Sequence, residues 1–175
     1  MTLPASAWGP SMNGQVRPAT AVDLPAIAGI YAYYVDHTPA TFDVDPPTLE
    51  DWGVRWETAA AAARPWFVTE MDSGVVGFVV TSGFRPKAAY HATIETTIYL
   101  DRPAIGRGLG RPLYEAALRE ASERGFHLAV AGITLPNRGS VALHEGLGFT
   151  KVGVFEEVGH KLGDWRDVSW WQLRL

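Results

Sequence analysis

The 175-residue chain contains no cysteine. This absence excludes disulfide bridges, a thiol nucleophile and every metal site that uses cysteine ligands. Apolar runs are far shorter than a membrane span requires. The N-terminus also lacks a basic stretch followed by an apolar core, the pattern of a secretory signal. The sequence therefore predicts a soluble protein of the cytoplasm with no membrane partner.

Charge is scarce as well, because only 19% of the residues are charged and the formal net charge is -4. A chain of this kind lacks the broad basic surface typical of nucleic-acid binding, so we expect no nucleic-acid partner. The five histidines show no ligand spacing, and we expect no metal. The length predicts one domain over residues 15–175, preceded by a flexible extension over residues 1–14.

Hydrophobic spacing and capping residues predict alternating strands and helices. Capping boxes at residues 20–23 and 48–51 mark the starts of two helices, and two more are predicted over 108–124 and 140–147. Strands are predicted over residues 16–17, 66–70, 75–82, 90–100, 128–134, 149–156 and 168–175. This order indicates an α/β fold with helices packed on the faces of a sheet.

The strand predicted over residues 90–100 carries one carboxylate. Successive side chains of a strand alternate between two faces, so Ile94, Thr96 and Ile98 share an apolar face. Glu95 and Thr97 lie on the other, polar face. Glu95 is either a solvent-facing residue of a half-exposed sheet or a base that faces a ligand, and the alternation alone favours the first interpretation.

A glycine-rich turn follows this strand and opens a helix. Gly106, Gly108 and Gly110 allow a ligand to approach the backbone closely, and the first N–H groups of the helix favour an anion. Arg107 and Arg111 add positive charge. The nucleotide P-loop pattern is absent, and a dinucleotide fingerprint belongs after the first strand rather than here. The turn is either a phosphate site of another kind or a flexible connection.

Four separated motifs add to this turn: ETTIYL at 95–100, LPN at 135–137, HEGLGF at 144–149 and KLGDWRDV at 161–168. With them, residues 16–173 resemble the phosphinothricin and L-amino acid N-acetyltransferases of the GNAT superfamily. The resemblance implies a mixed, mainly antiparallel central sheet flanked by helices, with acetyl-CoA as co-substrate. It also implies acetyl transfer to the α-amine of an L-amino acid or an analogue such as phosphinothricin, methionine sulfoximine or methionine sulfone.

The resemblance assigns the cofactor residues. It places the pantetheine arm along the backbone of Ile98, Tyr99 and Leu100, like an added strand, with a further contact at Asn137. The pyrophosphate is expected on the turn formed by Gly106, Arg107, Gly108, Leu109, Gly110 and Arg111. At Ile105 the chain departs from the Arg or Gln of many superfamily members, so the turn loses one side-chain donor.

The resemblance also assigns catalytic roles. Glu95 is expected to be the general base, since an amine must lose a proton before it attacks a thioester. His144 is expected to give a proton to the departing thiolate, and a surface or core histidine is the alternative. Because there is no cysteine to carry an acetyl group, we expect direct transfer within a ternary complex.

A substrate-side loop is expected to bind the acceptor's α-carboxylate through Arg85, Pro86 and Lys87. Solvated loop charges are the alternative. The remaining acceptor pocket is expected to consist of Phe42, Tyr90, Glu95, Thr96 and Thr97, with a core position as the alternative for Phe42 and for Tyr90.

The tryptophan-rich C-terminal end, with Trp165, Trp170 and Trp171, is either structural or part of an interface. Exposed tryptophans there would favour a homodimer, which the resemblance also implies. Two other functions remain open. A protein or peptide N-acetyltransferase on the same fold is disfavoured by Arg85 and Lys87, because a carboxylate clamp rejects an internal residue. A non-catalytic CoA-binding domain is disfavoured by the glutamate of the central strand.

Overall fold

Seven strands form one mixed sheet in the computed structural model, which describes residues 14–175. The predicted extension over residues 1–14 lies outside the described residues except for its last residue. The strands are β1 (Gln15–Pro18), β2 (Phe67–Met71), β3 (Gly74–Gly83), β4 (Thr93–Leu100), β5 (Leu128–Thr134), β6 (Thr150–Lys161) and β7 (Asp164–Arg174). The helices are α1 (Leu24–His37), α2 (Leu49–Ala61), α3 (Gly110–Glu123) and α4 (Arg138–Gly146).

The strand order is β1-β2-β3-β4-β5-β7-β6. Every neighbouring pair is antiparallel except β4 and β5, which confirms the predicted mixed and mainly antiparallel sheet. Alternation along β3 divides the core into two layers, because Phe78 packs with α1 and α2 whereas Val79 packs with α3. No helix in the described part is long and apolar enough to cross a membrane.

The helix starts follow the capping chemistry of the sequence. Thr48 accepts a hydrogen bond from the Asp51 amide at 3.1 Å, and the Asp51 carboxylate accepts one from the Thr48 amide at 2.8 Å. This reciprocal pair fixes the first turn of α2. The box at Thr20 and Asp23 instead encloses a short 3-10 turn, and α1 begins at Leu24.

The predicted boundaries of three strands are wrong. The central strand begins at Thr93 rather than at residue 90, because Ala88–Tyr90 form a 3-10 turn. The last two strands are longer than predicted and meet in a tight turn at Leu162 and Gly163, with φ values of 53° and 84°. Such a turn joins antiparallel strands closely, so β6 and β7 form one long hairpin.

The parallel pairing of β4 and β5 is short. It covers Thr93 to Glu95 of β4, opposite Leu128 to Val130, although β4 continues to Leu100. From this point the two strands separate. The opening between them begins beside Glu95 and positions the candidate site.

Candidate active site

A cleft of about 720 Å³ lies where β4 and β5 separate. This volume is within the range of small-molecule sites. Its lining comes from β4, β5 and β7, from α1 and the loop after it, from the turn that opens α3, and from α4. The lining includes Ala40, Thr41, Phe42, Glu95, Thr96, Thr97, Ile98, Tyr99, Leu100, Ile105, Gly106, Gly108, Gly110, Arg111, Asn137, Ser140, His144 and Trp170.

Glu95 lies at the point where the strands part, opposite Ser82 of β3. Its side chain is half-buried and lines the cleft rather than facing open solvent. Burial raises the pKa of Glu95 above its usual range, and the positive charge of Arg85 opposes this shift. A carboxylate with a raised pKa is a stronger base than an exposed glutamate. The geometry therefore provides a proton acceptor inside the cleft.

Thr96 and Thr97 occupy different environments. Thr96 is 5% exposed, and its hydroxyl lies 2.5 Å from Tyr114 Oη and 3.1 Å from the Val130 carbonyl oxygen. Its hydroxyl is thus bound within the α3 side of the core. Thr97 is half-buried and lines the cleft on the same face of β4 as Glu95.

His144 is buried at 3% exposure, and both its ring nitrogens have protein partners. Nδ1 lies 2.8 Å from the Ser140 carbonyl oxygen, and Nε2 lies 3.1 Å from Tyr114 Oη. A carbonyl oxygen can only accept, so the proton of the neutral ring is on Nδ1. Tyr114 then donates to Nε2, and the single proton of the Thr96 hydroxyl is shared between Tyr114 Oη and the Val130 carbonyl oxygen, since both can accept it. These groups form a buried chain from β4 through α3 to α4.

Burial lowers the pKa of His144, and the bond to the Ser140 carbonyl opposes the shift. The imidazole is therefore neutral near pH 7. Its ring also packs edge-on against Phe149, with centroids 5.0 Å apart. Sequence reasoning missed Tyr114, because its position on the helix face indicated only a core residue.

The turn before α3 has the conformation of an anion site. Gly106 and Gly108 have φ values of 77° and 78°, a region that side chains rarely adopt. The first N–H groups of α3 have no partner one turn earlier within the helix, and the helix dipole adds positive potential there. Ile105, which is 56% exposed, also lines the cleft and offers no side-chain donor.

The other turn residues have different surroundings. Leu109 is buried, with Val76 and Ala104 around its side chain, so only its backbone faces this site. Arg111 lines the cleft and forms an ion pair with Glu115 at 2.8 Å. Arg107 belongs to the turn but is not part of the cleft lining. The turn therefore offers backbone amides and one lining cation.

At the start of α4, Asn137 lines the cleft and caps the helix. Its side-chain oxygen accepts a hydrogen bond from the Ser140 amide at 3.1 Å. This bond fixes the carboxamide at the helix N-terminus, beside the opening between the strands.

Two tyrosines of α1 that sequence reasoning missed, Tyr31 and Tyr34, border the same cleft. Tyr34 Oη donates to the Leu100 carbonyl at 2.6 Å. The ring of Tyr31 packs edge-on against the predicted cofactor residue Tyr99, with centroids 5.2 Å apart, and Tyr99 Oη donates to the Ala40 carbonyl at 2.9 Å. The helical spacing of Tyr31 and Tyr34 in the sequence indicated only a core face.

The predicted acceptor loop lies beside the cleft rather than in its lining. Arg85, Pro86, Lys87 and Tyr90 are exposed. The Arg85 guanidinium lies 5.0 Å from the centre of the Phe84 ring. The Phe84 ring in turn packs against Trp170 of the lining, with centroids 6.2 Å apart.

Within residues 14–175, no three His, Asp or Glu side chains come together as metal ligands.

A family model described as the acetyltransferase (GNAT) family matches residues 27–149. The chain belongs to this family. A phosphinothricin N-acetyltransferase from Streptomyces coelicolor is 35% identical, and the match covers 92% of this chain and 96% of the relative. An L-methionine sulfoximine/L-methionine sulfone acetyltransferase from Pseudomonas aeruginosa is 33% identical over 94% and 96% of the two chains.

Solved structures agree with these relatives. The GNAT phosphinothricin acetyltransferase from Sinorhizobium meliloti, crystallised with acetyl-CoA, has a TM-score of 0.89 and 32% identity. The match covers 93% of this chain and 89% of that chain. These findings confirm the predicted fold, the predicted acyltransferase class and acetyl-CoA as the co-substrate.

The residues of this GNAT protein fit acetyl-CoA. The N-terminus of α3 and the Gly106–Gly108 turn suit a pyrophosphate, since they combine backbone N–H groups with the positive end of a helix. Within the described residues 14–175, the stretch of β4 beyond Glu95 pairs with no strand on the β5 side, so its edge can pair with the amides of a pantetheine arm.

Proposed function

We propose that this GNAT protein transfers an acetyl group from acetyl-CoA to the α-amine of a small amino acid or analogue, within a ternary complex. One observation carries the proposal. The half-buried carboxylate of Glu95 lies in a single cleft with the glycine turn of α3. The names of the relatives support phosphinothricin, methionine sulfoximine and methionine sulfone as the acceptor class.

Bound acetyl-CoA supplies an activated acyl group with a thiolate as leaving group. Glu95 accepts the proton of the acceptor's ammonium group, directly or through one water, and frees the nitrogen lone pair. The nitrogen then forms a bond to the acetyl carbon as the carbon–sulfur bond breaks. The half-buried position of Glu95 favours this step because it limits competition from water.

The departing sulfur must receive a proton, and His144 is our proposed donor. The ring holds one proton, on Nδ1, which is shared with the Ser140 carbonyl. Donation to sulfur therefore requires this hydrogen bond to break. The acetylated nitrogen carries one proton more than the amide product, and we propose that the ring regains a proton from it in the same step, so that His144 is neutral before and after transfer. Tyr114 can stabilise the ring during transfer, because its hydroxyl already contacts Nε2.

Acceptor recognition is proposed for the loop beside the cleft. The cations of Arg85 and Lys87 suit the α-carboxylate of a free amino acid. Phe42 and Thr97 of the lining, with Tyr90 of the loop, contact the remaining part of the acceptor. A protein N-acetyltransferase would need this end of the cleft to accept an internal residue, where no free carboxylate exists.

The test is thiol release from acetyl-CoA with a panel of amines. The panel contains phosphinothricin, methionine sulfoximine, methionine sulfone, the standard amino acids, and short peptides with free N-termini. Release with the free amino acids or analogues supports the proposal. Release with peptides alone indicates a protein N-acetyltransferase, and tight CoA binding without any release indicates a non-catalytic CoA-binding domain.

A homodimer is also proposed. β6 is an edge strand of the sheet in the described part of the chain. Its side chains Val152, Phe155 and Val158 are exposed, as is Trp165 across the hairpin. An exposed apolar edge of this kind favours association with a second copy. Light scattering tests it: a mass of two chains that falls to one chain on Phe155→Asp supports the dimer, and a monomeric wild-type chain contradicts it.

A further inference from the structure

Contacts from α1, β4 and β6 hold one wall of the cleft in place. This wall segment, residues 38–48, follows α1 and contributes Ala40 and Thr41 to the lining. From α1, Tyr31 Oη lies 2.6 Å from Thr41 Oγ1. From β4, Tyr99 Oη binds the Ala40 carbonyl. Two further contacts to this segment come from the end of β6, at the far edge of the sheet.

Lys161, the last residue of β6, makes the first of these contacts. Its side chain is 6% exposed, which is unusual for a lysine. Nζ donates to the Thr41 carbonyl at 2.8 Å. Burial lowers the pKa of Lys161, whereas the charges of Asp43 and Asp36 raise it. Loss of the ammonium group would leave the Thr41 carbonyl without this donor.

Gly159 makes the second contact. A β-carbon at this position would lie 2.3 Å from the Phe42 ring, closer than side-chain carbons approach one another. The ring therefore packs directly against the backbone of β6. The φ angle of Gly159 is outside the left-handed region, so space and not backbone conformation requires glycine here.

We propose that Lys161 and Gly159 are positioning residues that hold Thr41 and Phe42 and thereby set the acceptor wall of the cleft. The inference rests on the proposed function, in which Phe42 contacts the acceptor. Neither positioning residue lines the cleft itself. The end of the β6–β7 hairpin thus controls which acceptor fits without touching it, and this gives a role to the KLGDWRDV motif.

The first test replaces Lys161 with methionine, which keeps the length and removes the charge. We expect the KM for the acceptor to rise on the order of tenfold, the gain expected from one charge-assisted hydrogen bond. The KM for acetyl-CoA and the kcat at saturation stay within about twofold, because the α3 turn and Glu95 are untouched. Lys151→Met, an exposed position on the same strand, is the matched control.

A chemical rescue separates the ammonium group from general packing. The chain has no cysteine, so Lys161→Cys introduces a single thiol. Alkylation with 2-bromoethylamine in denaturant, followed by refolding, restores an ammonium group at nearly the original distance. We expect the rescued protein to regain the acceptor KM of the wild-type chain, and unmodified Lys161→Cys to resemble Lys161→Met.

The second test is a double-mutant cycle. Gly159→Ala forces the Phe42 ring to move, so we expect a higher acceptor KM. The same substitution in a Phe42→Ala background should change KM by less than about twofold, since no ring remains to displace. Equal effects in the two backgrounds would overturn the role of Gly159.

Hydrogen exchange provides a readout that does not depend on activity. In Lys161→Met, the amides of residues 38–48 should exchange about tenfold faster, while those of Lys151→Met stay as in the wild-type chain. Unchanged exchange, or equal rises in both KM values, would overturn the inference. A wild-type chain that acetylates no amine would refute the proposed function. Faster amide exchange of residues 38–48 in Lys161→Met would, even then, establish the contact between β6 and the wall segment.

Discussion

The hydroxyl of Tyr114 links β4 to α4, and its removal should have a measurable cost. Tyr114→Phe keeps the ring, which packs against His144 and Phe149 at centroid distances of 5.2 Å and 5.7 Å. Thr96 retains the Val130 carbonyl as a partner. The buried Nε2 of His144 loses its donor, which costs about 1–3 kcal/mol of unfolding free energy.

For a domain of this size, such a loss lowers Tm by roughly 2–12 °C. Equilibrium denaturation in urea measures the change, with Tyr90→Phe as the control because the Tyr90 side chain is exposed. We also expect a lower kcat, because the ring loses the contact that fixes its orientation. A free energy of unfolding within about 0.5 kcal/mol of the wild-type value would refute the hydrogen-bond chain.

Three further predictions concern the acceptor, the cofactor and pH. Arg85→Ala should raise KM for a free amino acid about tenfold and leave KM for its amide nearly unchanged; equal changes would contradict carboxylate binding. Ile105→Arg should lower the Kd for CoA in calorimetry if a side-chain donor strengthens the phosphate site, and an unchanged Kd would show that the backbone amides suffice. Because Glu95 must be deprotonated to act as the base, kcat/KM should fall as the pH decreases through the raised pKa of Glu95, which lies above the ordinary value of 4.5. An acidic limb of the pH profile centred at or below 4.5 would contradict the burial of this carboxylate.

Local chemistry explains what the sequence predicts well. Threonine and aspartate three residues apart mark the start of α2, because their groups satisfy each other's amides. The glycines at 106 and 108 indicate the turn, since only glycine readily adopts their positive φ. The motifs and the order of the elements are sufficient to predict the GNAT fold.

Long-range contacts explain what could not be predicted. The alternation of side chains along β4 indicates on which face of the sheet Glu95 lies. The position of Glu95 in a cleft depends on the early end of the β4–β5 pairing, which is a property of the whole sheet. The hydrogen bond between Lys161 and Thr41 joins residues 120 positions apart. A lysine and a glycine near a predicted strand end carry no local sign that they contact the cleft wall.

The most direct test of the central claim is product formation by the wild-type chain and by Glu95→Gln. With acetyl-CoA and phosphinothricin, mass spectrometry should detect the N-acetylated product from the wild-type chain. Glu95→Gln should be slower by about 100-fold or more while its Kd for CoA is unchanged. Near-normal turnover by Glu95→Gln, or no acetylated product from the wild-type chain with any amino acid or analogue, would contradict the account.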